Sequence, residues 1–169
     1  ACEVVPREEI YRRTGIQFMQ FNTLYQLYSL SKNRPDLLER AEKMLFMPDL
    51  LNYFLTGSMH SEYSIASTAQ MLDINTGDWD RELLEKLGIP HHFLADIIDS
   101  GTVVGILKDE ICDEVQIDPV PVISVAAHDT GSAVISAPEI SPASTTSTPS
   151  ANPDIILFLT GKFWGAGCV

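Results

Sequence analysis

Apolar positions recur every three to four residues through the first third of the chain and then give way to short β-branched runs. The first spacing is that of one face of an α-helix and the second that of a strand. In "PREEIYRRTG", Pro6 opens the first turn, acidic residues come early, arginines come late and Gly15 stands just past the end. Each of these is a helix-terminus preference. Asn22 is placed to cap "TLYQLYSLSK", in which Leu24, Leu27 and Tyr28 share a face. Pro35 and Asp36 begin a third helix, "PDLLERAEKMLF", with Leu37, Leu38, Ala41, Met44 and Leu45 as its buried stripe. Pro48 begins a fourth, "PDLLNYFLTG", which Gly57 ends. Tyr25, Tyr28, Tyr53 and Phe54, also at helical spacing, read as core.

Beyond this helical layer, Asn75-Thr76-Gly77 predicts a turn, and a helix from about Asp78 runs to Gly88 before Pro90. "TVVGIL" and "PVISVAA" are β-branched runs bounded by Gly, Pro and charges, so both read as strands. Residues 136–154 are rich in Ser, Thr and Pro without apolar periodicity, the composition of a loop or linker. "IILFLTG" follows as one more strand. No internal repeat is visible.

Composition narrows the possibilities. A chain of 169 residues, 45% hydrophobic, suits one domain or a piece of a larger one. Its net charge of -12 repels phosphate backbones and anionic lipid, which argues against nucleic acid and membrane surfaces as partners. No apolar run approaches the roughly 18 residues a bilayer-spanning helix needs. Cys2, Cys112 and Cys168 lie far apart with no partner at metal-ligand spacing, which fits a reducing, cytoplasmic compartment. The first residues are not those of a secretion signal, and a start without Met is the mark of a segment cut from a longer chain. The acidic residues are scattered and read as a solvated face.

One dipeptide concentrates chemistry. The run Val122 to Ala127 delivers His128-Asp129 to the C-terminal end of a strand, where ligands sit in open α/β sheets. Thr130, Gly131, Ser132 and Ala133 follow, small enough to let a ligand approach the backbone closely. An aspartate there can accept a proton from a substrate hydroxyl, and the imidazole can orient another polar group. Read alone, Asp129 is equally an ordinary helix N-cap. The glycines of "TGKFWGAG" suggest a phosphate loop through Gly161 and Lys162, but the motif fails at Ile156 and Phe163. His60, His91 and His92 lack a ligand array and read as surface or capping residues.

Two longer stretches resolve the dipeptide. "YRRTGIQFMQFNTLYQLYSL" and "MPDLLNYFLTG", followed by the pattern S-x-A-S-x-x-x-x-L-D-x-x-T-x-x-W-D from Ser64 through Asp80 and on to Pro90, closely resemble the FGGY family of carbohydrate kinases. The run Thr14 to Leu27 points within it to the branch acting on L-rhamnulose. The resemblance covers about residues 3–137.

It implies an α/β fold of the ribonuclease H-like, actin-like type, in which two such domains close on a cleft. Residues 1–137 would be the later part of the N-terminal, sugar-binding domain, 138–154 a Ser/Thr/Pro-rich loop and 155–169 a divergent start of the nucleotide-binding domain. The implied reaction moves the γ-phosphoryl of ATP, accompanied by Mg²⁺, to the 1-hydroxyl of L-rhamnulose. Other ketoses or polyols are substrates elsewhere in the family, and a non-catalytic remnant that binds sugar or a protein is the contrasting expectation. "AHDTGSA" matches the family's His-Asp-Thr site, which implies Asp129 as catalytic base and His128 and Thr130 as sugar contacts. In the next landmark Gly161 is retained and Lys162 replaces a nucleotide-contacting threonine, so these two carry the expected nucleotide contact. No metal ligand is expected in the segment, and alone it should not phosphorylate anything.

Overall fold

Residues 1–136 are described by a computed structural model, and their first three elements are helices: α1 (Arg7–Thr14), α2 (Thr23–Asn33) and α3 (Pro35–Glu39). Then follow α4 (Met47–Thr56), β1 (Ser61–Glu62), α5 (Tyr63–Ser67) and α6 (Arg81–Leu87). The last third holds β2 (Ile97–Ile98), β3 (Val103–Ile106), α7 (Asp109–Val115), β4 (Pro121–Ile123) and α8 (Asp129–Ser136). Gly15 ends α1 in the left-handed conformation, φ 68°, where a side chain is strained and an added Cβ would meet Ile74 at 2.7 Å. Ile10, Leu24, Met71, Leu83, Leu84 and Phe93 form the centre of one buried cluster.

The chain from Phe93 to Ile98 is the spine against which separate segments are knit. The Met44 N–H donates to the Phe93 carbonyl (2.8 Å) and the Ser61 N–H to that of Asp96 (2.9 Å). The Trp79 indole N–H donates to the Ala95 carbonyl at 2.7 Å. β1 pairs parallel with β2, Ser61 opposite Ile97, and Met44 makes a parallel bridge to Leu94. β3 and β4 form a separate antiparallel ribbon whose register shifts between Val103 and Gly105. Ribbon residues Val103, Ile106 and Ile123 are exposed.

Several expectations change. The third helix stops at Glu39, and of its expected stripe only Leu38 is buried while Leu37 is 43% exposed. The reason is long-range: residues after Glu39 leave the helix so that Met44 can pair with the spine, a contact invisible to local periodicity. Asn22 does precede α2, but its side chain does not cap it. Its amide instead donates to the Gln17 carbonyl (3.0 Å) and to Gln70 Oε1 (3.1 Å). Phe54 is 54% exposed, so it is not core. The sixth helix begins at Arg81 because Asp78 and Trp79 belong to the turn that bridges Leu72 to Trp79. The strand read in "PVISVAA" is only Pro121–Ile123. Residues 138–154 and 155–169, with Gly161 and Lys162, lie outside the described residues.

Candidate active site

The long motif folds into a brace. Asp73 Oδ1 accepts from the Asn75 N–H (2.8 Å), closing the turn that brings Trp79 and Asp80 back beside Met71. Asp80 then caps α6, its Oδ1 accepting from the Leu83 N–H at 3.0 Å. The same carboxylate is gripped by both arms of Arg13, Nε at 2.7 Å and Nη2 at 2.8 Å, which ties α1 to α6. Arg13 is 14% exposed and Asp80 3%, and these bonds hold the guanidinium's pKa above its ordinary value. Exposed Glu82 joins the pair by sharing Arg13 Nη2, and the two cations, Arg13 and Lys86, lower its carboxyl to about 2.

His128 and Asp129 stand elsewhere, at the start of α8. Asp129 is exposed and is the first residue of the helix. Its Oδ1 accepts from the Thr130 N–H at 2.6 Å and the Thr130 hydroxyl at 3.2 Å, so the carboxylate bonds the adjacent residue from inside the first turn and does not make the N-cap bond expected of it. The His128 carbonyl accepts from the Ser132 N–H (3.0 Å), and the Ser132 hydroxyl donates back to the Ala126 carbonyl (2.8 Å). The imidazole lies over Gly131, whose absent Cβ would sit 3.6 Å from His128 Nδ1. The structure thus brings His128, Asp129 and Thr130 together at one exposed helix start.

What the sequence reading missed is the group beneath them. Glu62, the last residue of β1 and the N-cap of α5, is 0% exposed. Its Oε1 accepts from the Ser64 N–H (2.9 Å) and the Ser100 hydroxyl (2.5 Å). Its Oε2 accepts from the Ser64 hydroxyl (2.5 Å), the Ile65 N–H (3.1 Å) and the Ala127 N–H (3.2 Å). The Ser64 hydroxyl in turn accepts from the His128 N–H at 3.1 Å. Below it, Asp49 of α4, 3% exposed, takes the Glu62 N–H on Oδ1 at 3.1 Å. Burial raises the Asp49 carboxyl to about 6 and the neighbouring Glu62 pushes the same way, against donation from the Glu62 and Phe46 backbone. Asp49, Glu62 and Asp80 therefore correct the reading of the acidic residues as a solvated face. The available signal was position: Glu62 and Asp80 stand just before a helix and Asp49 in the first turn of one, where a carboxylate finds unpaired N–H groups.

A groove of about 640 Å³ opens beside Tyr63, Trp79, Arg81 and Asp99, and none of its lining residues is one of the expected site residues. Among the described residues no three His, Cys, Asp or Glu side chains gather as a metal site. His91 pairs with Glu85 at 3.2 Å and His92 with the Ala41 carbonyl at 3.1 Å, as surface histidines do. Cys2 and Cys112 are free thiols, and Cys168 lies outside the described residues.

The family model described as the FGGY family of carbohydrate kinases, N-terminal domain, matches residues 3–136. The chain belongs to the FGGY family of carbohydrate kinases. It is 49% identical over 140 residues to a rhamnulokinase of Yersinia pestis and 44% identical over 136 residues to one of Bacteroides thetaiotaomicron. These alignments cover 83% and 80% of this chain and 28% of each relative, so the FGGY chain spans under a third of the curated relatives it matches. Among solved structures it is similar to a ligand-bound xylulose kinase from Lactobacillus acidophilus, at 26% identity and a TM-score of 0.69. That match covers 76% of this chain and 26% of the other. A Plasmodium falciparum glycerol kinase with ADP, 22% identical at a TM-score of 0.66 and with 76% and 26% of the two chains covered, shares the fold. The fold is the ribonuclease H-like, actin-like one of the FGGY sugar kinases.

Proposed function

We propose that this FGGY chain belongs to a cytoplasmic kinase that transfers the γ-phosphoryl of ATP to the 1-hydroxyl of L-rhamnulose. The supporting observation is 49% identity to a rhamnulokinase across 83% of the chain, a span that includes the His128-Asp129-Thr130 helix start. Residues 1–137 form the later part of the sugar-binding domain in this reading, and 155–169 begin the nucleotide-binding one. Asp129 accepts the proton of the attacking sugar hydroxyl, while His128 and Thr130 touch the sugar. Phosphoryl transfer depends mostly on positioning and charge neutralisation, so an exposed carboxylate fixed at a helix start is a suitable base. Mg²⁺ arriving with the nucleotide would neutralise phosphate charge, and contact with that nucleotide is assigned to Gly161 and Lys162.

The test is made on the full-length protein, assayed with ATP against L-rhamnulose, L-fuculose, xylulose and glycerol. L-Rhamnulose should give the highest kcat/KM. Asp129→Asn should bind sugar and lose about 10² to 10⁴ in turnover, the usual worth of general-base assistance. Near-normal turnover in that variant overturns the base assignment, and preference for another sugar overturns the substrate.

A further inference from the structure

We propose that Glu62 is a positioning residue for the reaction, holding the main chain at Ala127 and His128 so that Asp129 meets the sugar hydroxyl. The inference rests on the reading of Asp129 as base. Glu62 is fully buried and takes five hydrogen bonds, three of them from α5 at Ser64 and Ile65 and one from Ser100. The fifth crosses 65 residues of sequence to the Ala127 N–H. Next to it the His128 N–H donates to the Ser64 hydroxyl, which itself donates to Glu62 Oε2, so two successive N–H groups of the loop end on one carboxylate.

A carboxylate offers acceptors only, and all five partners are donors. An amide of the same shape would turn an NH₂ toward donors and break part of the set. The residue anchored last, His128, is the one immediately before Asp129. Buried Asp49 fixes the Glu62 backbone from the other side, so the anchor is itself held by α4. Displacement of a reacting group by about 1 Å costs on the order of 100-fold in rate, which makes such an anchor kinetically visible.

The test uses the full-length protein and four variants: Glu62→Gln, Ser64→Ala, Ser64→Thr and, as control, Ser67→Ala. Ser67 donates to the Ser64 carbonyl within the same helix and touches neither Glu62 nor the loop in this network. Amide hydrogen exchange over residues 122–132 reads the anchor directly. Turnover per folded molecule and the separate KM values for sugar and ATP read its consequence. Glu62→Gln should speed exchange at Ala127 and His128, lower kcat by about 10- to 100-fold and raise the sugar KM while leaving the ATP KM within about twofold. Ser64→Ala should do the same at about 5- to 25-fold, the worth of the two hydrogen bonds its hydroxyl makes. Ser64→Thr, which keeps the hydroxyl, should recover turnover, and Ser67→Ala should match the parent. A fold merely weakened would change neither KM.

Should Glu62→Gln fail to fold, Ser64→Ala still decides. Unchanged exchange in Ser64→Ala, or turnover equal to that of Ser67→Ala, overturns the proposal. Asp129→Asn, run alongside, separates the two readings: its normal turnover would overturn the base while exchange would still report the anchor.

Discussion

The brace around Asp80 and the loop before Asp129 are built in opposite ways. In the brace, particular side chains do the holding: Arg13 grips Asp80 with two nitrogens, and Trp79 fills the core and bonds to the spine. In the loop, one remote carboxylate and one hydroxyl hold the main chain at Ala127 and His128. On the proposed reading, the difference explains why the long motif identifies the family and the short one carries its chemistry. A brace needs many particular residues at fixed spacing, whereas a presented base needs a few residues on a secure support.

Three measurements sharpen that contrast. Asp80→Ala removes a helix cap and leaves a largely buried guanidinium with only its bond to exposed Glu82, so it should cost about 3 kcal/mol in denaturant unfolding. If its folded fraction nevertheless turned over slowly with altered KM values, brace and site would not be separable. The second measurement concerns Asp49. Its carboxyl is raised from 3.8 to about 6 in the folded state, so the folded protein binds more protons than the unfolded between those values. Stability contributed by this group should therefore fall as pH rises from about 4 to about 6 and stay level above. The change is at most about 3 kcal/mol at 1.36 kcal/mol per pH unit. Asp49→Asn should flatten that part of a stability-versus-pH curve, and an unchanged slope would show that Asp49 is not its source. Least affected should be Glu82→Gln. Exposed pairs with Arg13 and Lys86 contribute little, so its melting midpoint should lie within the scatter of replicate melts.

The sequence displayed those features whose causes are local. Gly15, Gly57 and Gly88 end helices as read, each in the left-handed conformation, and Pro48 opens the fourth helix within its first turn. Asn75-Thr76-Gly77 makes its turn because Asp73 takes the Asn75 N–H two residues on. What stayed hidden depends on distance. Nothing near Met44 announces its partner at Leu94, so the third helix was read too long. Asp129 was visible as a residue type after a strand, and family likeness gave it a role. Glu62 was not, because its partners at Ser100 and Ala127 are brought close only by the fold. A glutamate before "YSIAS" looks like any surface acid until the loop arrives.

Because Glu62 and Ser64 hold amide groups and not side chains, the support places a peculiar condition on heredity. Positions 127 and 128 can drift in side chain without loosening the anchor, since every residue but one brings the same N–H. Proline is that one, and it would unhook the main chain before Asp129 without touching Asp129 itself.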